Sequence, residues 1–326
     1  MPIIRAVKSA AMKDQLKAAL KIAKKGNMRG LEVQELIPLM AEVPLEKRAK
    51  TVLDCVGKYK IEGLAYHYPI FSNWYKFEDA KEYDIAYSKN AKIIGLTKET
   101  IKEAAFVGER LGLDAATVDI HLFGFVKGLV TEEARESAMK IGEDNLSMLN
   151  KYAKECSKKY GCDVGLTREN NPPDHGLLPG TLDFAPQDII RTKEKGIGVC
   201  LDFAHIGQYF NYFIDGNGQL PGADLSWRTY DGVVLDIGRA ADMVADGYLK
   251  LIHINDCTGF MKEGEGTEVG RGNFPHKTVI PLICRKADSL MGTYEVKYGH
   301  LDPDSMLRCD QKYRKMFGKD FDNYFC

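Results

Sequence analysis

The stretch GVCLDFAHIG, residues 198–207, carries an apolar run, Val199-Cys200-Leu201, that stops on Asp202, with His205 three residues further on. A short apolar run after glycines reads as a buried strand. One strand ending on a carboxylate has a plain structural explanation, because a strand-end Asp commonly caps the helix that follows. The same ending recurs on other strands of this chain, and that recurrence decides how the fold is read.

Short β-like runs alternate with amphipathic stretches along the chain. The predicted strands are IIRAVKS (3–9), GLEVQELIPL (30–39), IEGLAYHYPIF (61–71), ATVDIHLFG (116–124), CDVGLTREN (162–170), GIGVCLDFAHI (196–206), YLKLIHINDC (248–257) and GTYEVKYG (292–299). Helices are predicted between them over 12–26, 44–59, 97–113, 131–161, 185–196, 230–247 and 275–289, with a last one over 303–317. The first has Leu16, Leu20 and Ile22 at helical spacing and stops at Gly26; Thr97 is a candidate N-cap. Strict alternation implies parallel strands joined by right-handed crossovers. Eight such units imply a closed (β/α)8 TIM barrel, α/β in class, rather than an open sheet. No GxGxxG follows the first strand, which removes the usual mark of a doubly wound dinucleotide fold. Residues 1–326 are expected to form a single domain. Two loops, 214–229 and 258–275, are long enough to be lids or binding loops.

Composition narrows the function class. Lys plus Arg number 45 and Asp plus Glu 46, so the net charge is −1. This balance disfavours nucleic acid as the main partner, although a local basic groove stays open. No run approaches the roughly 18 to 20 apolar residues of a membrane span. The basic N-terminal segment lacks the apolar core of a secretory signal. The eight cysteines are scattered and form no CxxC pair. Reduced thiols in the cytoplasm are therefore expected.

The strand ends carry the chemistry. His67 lies near the end of the third predicted strand, His121 of the fourth, Glu169 of the fifth and Asp202 of the sixth; His253 lies on the seventh and Glu295 on the eighth. In a parallel barrel those ends surround one mouth, where active sites lie. Each residue has an ordinary structural reading: a satisfied core histidine, a helix cap, or for Glu295 a pair with nearby Lys297. Four of the seven histidines and three carboxylates at one mouth are harder to dismiss. Such a cluster would repel or be desolvated unless a cation neutralised it. Mixed oxygen and nitrogen donors suit Mn²⁺, Zn²⁺, Fe²⁺ or Co²⁺ better than Ca²⁺, and no thiolate suggests a structural zinc site. A spacing of three cannot place Asp202 and His205 on one face of a strict strand, so His205 is expected in the turn beyond it. Asp202 is assigned to the metal and His205 to metal or substrate. Of Glu32, Gln34 and Glu35, one is expected to face the pocket. Tyr66, Tyr68, Phe71, Trp74 and Tyr75 are read as rim packing.

With these residues in place, the chain resembles the xylose isomerase-like TIM-barrel superfamily, which includes ketose epimerases, sugar isomerases, inosose-type dehydratases and endonuclease IV. The resemblance rests on LTRENN with Glu169, GVCLDFAHIG with Asp202 and His205, LIHINDC with His253 and Asp256, GRGNFPHKTVIPLI, and TYEVKYG with Glu295. It implies one divalent metal on Glu169, Asp202, His253 and Glu295, with Glu169 and Glu295 also acting as acid and base. The endonuclease IV branch implies a further site on His67, His121 and Glu169. A third site of that branch would use His205 and an Asp-Arg-His motif, but Gly264 and Gly266 stand where its Asp and His would be. His276 and Glu268 are the candidates to compensate.

Three activities follow as expectations. The first is a sugar or sugar-phosphate isomerase or epimerase working through a metal-stabilised enediolate, with His205, Asp256, Lys262, Arg271 and Lys297 as candidate substrate contacts. The second is a metal-dependent phosphodiesterase acting on abasic DNA. The third is a polyol or keto-acid dehydratase, which begins with the same proton abstraction. The expected partner is a small-molecule sugar or sugar phosphate; a second metal and a homo-oligomer are left open.

Overall fold

The computed structural model describes residues 2–70, 85–86, 88–121, 132–170, 192–207, 247–258, 266–272, 274–285, 290–297, 299 and 301–326. Eight parallel strands close into a barrel in sequence order. They are β1 (Ile4–Ala10), β2 (Gly30–Leu36), β3 (Gly63–Ile70), β4 (Ala115–His121), β5 (Asp163–Glu169), β6 (Gly198–Asp202), β7 (Leu249–Ile254) and β8 (Met291–Tyr294). Closure is direct: Ile4 of β1 pairs with Met291 of β8.

The described helices lie outside the strands: α1 (Lys13–Gly26), α2 (Ile37–Glu42), α3 (Leu45–Val56), α4 (Lys92–Arg110), α5 (Glu132–Tyr160), α6 (His276–Cys284), α7 (Asp304–Phe317) and the short α8 (Phe321–Tyr324). Several expected boundaries differ. α4 begins at Lys92, so Thr97, the expected N-cap, lies inside the helix, where its hydroxyl donates to the Ile93 carbonyl at 2.7 Å. The sixth strand stops at Asp202, and Phe203 opens a helical turn. The second strand stops at Leu36, and Ile37-Pro38-Leu39 opens α2 instead of extending the strand. Pro38 lacks the amide a ladder needs, but it fits a first helical turn. Glu295 lies one residue beyond β8. The expected helix over 230–247 falls almost wholly outside the described residues, and of that over 185–196 only the last turn, from Thr192, is described.

Side-chain size sorts the two faces of the sheet. Facing into the barrel, Ala6, Ala65, Cys200, Leu251 and Met291 form a small apolar plug. Gly30 belongs to that layer because a Cβ there would stand 2.5 Å from the Ala6 Cβ. The outward residues, including Val7, Leu31, Val33, Val118 and Leu166, are buried with Leu16, Leu20, Val52, Ile101 and Leu149 of the helices. The apolar plug fills the lower interior, so the polar residues above it can gather at the carboxyl ends.

The barrel is tied at its other end by the C-terminus. Arg5 is buried in β1; its Nη1 donates to Asp310 Oδ1 at 2.7 Å and to the Gly26 carbonyl at 2.9 Å. The Cys326 amide donates to the Ile3 carbonyl, and the Ile3 amide to the Tyr324 carbonyl.

Candidate metal centre and active site

Strand register brings the donors together. His121 pairs with Glu169 across β4 and β5. Asp202 pairs with His253 across β6 and β7. Gln34 pairs with His67 across β2 and β3. Glu169, Asp202, His253 and Glu295 each offer a donor atom within 4.8 Å of the others.

His253 lies at the middle of this group. Its Nδ1 is 2.6 Å from Glu295 Oε2, 3.1 Å from Glu169 Oε1 and 3.6 Å from Asp202 Oδ2. A ring nitrogen carries one proton or one lone pair and cannot serve three carboxylates. Glu169 Oε2 and Glu295 Oε2 are moreover buried with no hydrogen bond of acceptable geometry. A divalent cation held by three carboxylate oxygens and one imidazole nitrogen meets both conditions, so the residues fit such an ion. Burial alone would push Glu169 and Glu295 up. Instead His121 and His253 hold Glu169 well below the usual carboxylate range, and His253 and Lys8 do so for Glu295. Burial works against a charged His253, yet the acidic groups around it raise its affinity for a proton well above the ordinary value.

Asp202 uses both of its oxygens. Oδ1 accepts from the His205 amide at 2.8 Å, which caps the helical turn beginning at Phe203. Oδ2 accepts from Asn255 Nδ2 at 2.8 Å and turns toward His253. His205 lies in that turn, beyond the strand. Its Nδ1 sits 2.6 Å from the Asn170 carbonyl and 3.5 Å from Glu169 Oε1.

A second group shares Glu169. His121 Nε2 is 2.6 Å and His67 Nε2 3.5 Å from Glu169 Oε2, the oxygen on the other side of that carboxylate. Burial, and then the nearby Lys8, pull His67 below its ordinary pKa. Its Nδ1 lies 3.0 Å from Gln34 Nε2 and 3.0 Å from the Tyr68 carbonyl. A third grouping, Asp119, Glu169, Cys200 and His253, reaches down toward the apolar plug.

Asp256 has a different surrounding. It is buried, and its carboxylate accepts from the amides of Cys257, Gly270 and Phe274 at 2.9, 2.9 and 3.1 Å. Gly272 packs so closely on this turn that a Cβ there would lie 2.0 Å from the Cys257 carbonyl oxygen. Asp256 therefore holds the backbone of Cys257, Gly270 and Phe274 together. His276 is part of the same structure, 3.5 Å from Asp256 and 2.7 Å from the Tyr313 hydroxyl. Glu268 pairs with Arg308 at 2.6 Å and with the mostly exposed Arg271 at 3.4 Å. The Lys297 amide donates to the Gly266 carbonyl at 2.7 Å. Lys262, Gly264, Phe71, Trp74 and Tyr75 lie outside the described residues. Tyr66 and Tyr68 are fully buried.

Sequence reasoning missed Lys8 and under-read β2. Both Glu32 and Gln34 face the interior, whereas Glu35 faces outward to Arg48 at 3.5 Å. The two-residue period of a strand predicts this split once the register is known. Lys8 sits on the inward face of β1, 2.5 Å from Glu295 Oε1 and 3.0 Å from Glu32 Oε1. No motif marks it; its position on the same face as Ala6 and Ala10 was the only available signal.

A parallel eight-stranded barrel with such a donor set at its carboxyl mouth has the fold of the xylose isomerase-like TIM-barrel epimerases and isomerases. No model of a known protein family matches the chain, and no curated protein matches it. Solved structures do. A D-psicose 3-epimerase with D-tagatose from Clostridium cellulolyticum H10 is similar over 96% of this chain and 99% of its own, with TM-score 0.59 and 11% identity. A xylose isomerase domain protein from Planctomyces limnophilus is similar over 99% and 100%, with TM-score 0.57 and 15% identity. A Thermus thermophilus protein from a crystal soaked with ZnCl2 is similar over 95% and 97%, with TM-score 0.53 and 18% identity. No helix among the described residues is long and apolar enough to cross a membrane.

Proposed function

We propose that residues 1–326 form one barrel enzyme that isomerises or epimerises a sugar or sugar phosphate with the help of one divalent cation. The observation that carries this reading is the meeting of Glu169, Asp202, His253 and Glu295, with one imidazole nitrogen facing three carboxylates. Mn²⁺, Zn²⁺, Co²⁺ and Fe²⁺ all suit these donors. When bound, the cation would supply Lewis-acid stabilisation of negative charge developing on substrate oxygen. The protein's own groups supply the proton chemistry. One of Glu169 and Glu295 takes the proton from the carbon next to the carbonyl, and the other returns one. Glu169 Oε2, directed at His121 and His67, has imidazoles beside it that can exchange a proton with it. His205, held by the Asn170 carbonyl, is assigned to substrate oxygens, with Arg271 and Lys297 as outer contacts.

Uptake of solvent tritium into candidate ketoses tests this. Purified chain supplied with Mn²⁺ or Co²⁺ is expected to catalyse exchange, and Glu169→Gln or Glu295→Gln to reduce it about 10²- to 10⁴-fold, the usual contribution of a positioned acid or base. No exchange with any ketose or ketose phosphate would oppose the reading.

One observation favours a second reading. His67, His121 and Glu169 also converge within 4.8 Å, a geometry able to hold a second ion beside the first. Two ions sharing Glu169 would suit phosphodiester hydrolysis at an abasic site. Metal analysis separates the two: one ion per chain supports the isomerase, while two, with nicking of an abasic duplex, supports the hydrolase.

A further inference from the structure

Four groups, carried by β1, β2, β7 and the residue just past β8, form a closed ring against the donor quartet. Lys8 Nζ on β1 donates to Glu295 Oε1 at 2.5 Å and lies 3.0 Å from Glu32 Oε1. Glu32 Oε2 on β2 lies 3.2 Å from His253 Nε2 on β7. His253 Nδ1 lies 2.6 Å from Glu295 Oε2, and Glu295 returns to Lys8. Each carboxylate places one oxygen beside the lysine and the other beside the imidazole. Glu32 and His253 are fully buried, and the Lys8 side chain is 12% exposed.

The ring constrains the centre in two ways. Glu32 stands against Nε2 of His253, which orients the ring so that Nδ1 faces the carboxylates of the quartet. Lys8 occupies Oε1 of Glu295, so that this glutamate can offer the centre Oε2 alone. Lys8 shares with His253 the compensation of the buried Glu32 carboxylate, a charge that is costly to leave partly balanced in the barrel interior. Placed between two carboxylates, Lys8 serves as a fixed cation rather than a nucleophile.

We infer that Lys8 and Glu32 are positioning residues that clamp His253 and Glu295 in the geometry needed to bind a divalent cation. This rests on the metal reading of the quartet but not on the sugar reaction. The opposite possibility is concrete: an ammonium bridging two carboxylates beside a cation site could compete with the cation, and its removal would then strengthen binding.

The test uses the full chain, stripped with a chelator and titrated with CoCl2 by calorimetry and visible absorption. Thermal melts of each variant check folding. Lys8→Met is expected to weaken Co²⁺ binding about ten- to one-hundredfold, the range seen when groups behind metal ligands are removed. Its Co²⁺ band should shift in position and intensity as Glu295 and His253 lose their orientation. Lys8→Arg should keep the wild-type spectrum and bind within about threefold. Glu32→Gln gives a second route if Lys8→Met does not fold, and should weaken binding by a similar factor. The double variant should lose less than the two single losses combined, because the two residues act as one unit. Wild-type affinity and an unchanged spectrum in both Lys8→Met and Glu32→Gln would overturn the clamp while leaving the quartet standing. Tighter binding in Lys8→Met would overturn it in favour of competition. A wild-type chain that binds no Co²⁺ would overturn both the clamp and the metal reading.

Discussion

Asp202 answers for both readings of a strand-end carboxylate, since one oxygen caps the turn at His205 and the other faces His253. The sequence could place Asp202 at a strand end but could not divide its oxygens, because that division depends on Asn255 arriving from the next strand. His253 has the clearest consequence at this scale. A metal ligand must give up its proton, and the acidic groups around His253 favour keeping it. Cation affinity is therefore expected to rise with pH, with about one proton released per cation bound below the raised pKa of His253. Calorimetric titration with MnCl2 in two buffers of different ionisation enthalpy reads that proton directly. Equal apparent enthalpies in both buffers at acidic pH would contradict it.

At the level of elements, β2 carries buried polar and charged side chains on both of its faces. Glu32 and Gln34 reach the interior, and Glu35 faces α3 and α4. There Arg48 Nε lies 3.5 Å from Glu35 and 3.1 Å from Glu103, and all three side chains are fully buried. Burial pushes the Glu35 carboxyl up to about 7 in spite of Arg48, and pushes Glu103 up as well, Glu35 adding to the effect. Two carboxyls around one guanidinium thus favour sharing a proton. A carboxyl whose folded pKa is raised contributes stability that is complete below its unfolded value of 4.5 and is lost as pH rises through about 7. Between pH 5 and 8 the wild type should lose up to about 2–3 kcal/mol of stability from this site. Glu35→Gln, which cannot ionise, should flatten that slope in urea melts across the same range. A slope unchanged by the substitution would sink the assignment. This cluster was not legible beforehand: Glu35 was one of three candidates for the pocket, nothing in the sequence marks Arg48 or Glu103, and only the packing of the helices outside β2 brings the three together.

Over the whole molecule, β1 and Ile3 just before it are hydrogen-bonded to the segment 324–326. Arg5 links β1 to the end of α1, to Asp310 of α7 and to the last residue. Removing Arg5 strips Asp310 of its buried cation and leaves it with Arg314 at 2.9 Å and the Tyr294 hydroxyl at 3.1 Å, and the carbonyls of Gly26, Asn27 and Cys326 lose a donor. Arg5→Met is expected to cost about 3–5 kcal/mol in denaturant unfolding, whereas replacing the exposed Lys50–Asp54 pair on α3 should cost under about 0.5 kcal/mol. Similar small losses for both would show that the Arg5 link is not what holds the ends.

The sequence by itself determined that there are eight strands, that they run parallel, and that His67, His121, Glu169, Asp202, His253 and Glu295 come at or near their ends. Those features are local: periodicity, punctuation and position along a run. Tertiary structure alone decided which of these side chains meet, that Lys8 and Glu32 stand behind His253, and that Asp256 holds a loop together. The reason is geometric. Closing the sheet sets the stagger between strands, and the stagger determines which inward residues share a level in the barrel; no stretch of chain shorter than the full circuit contains that information.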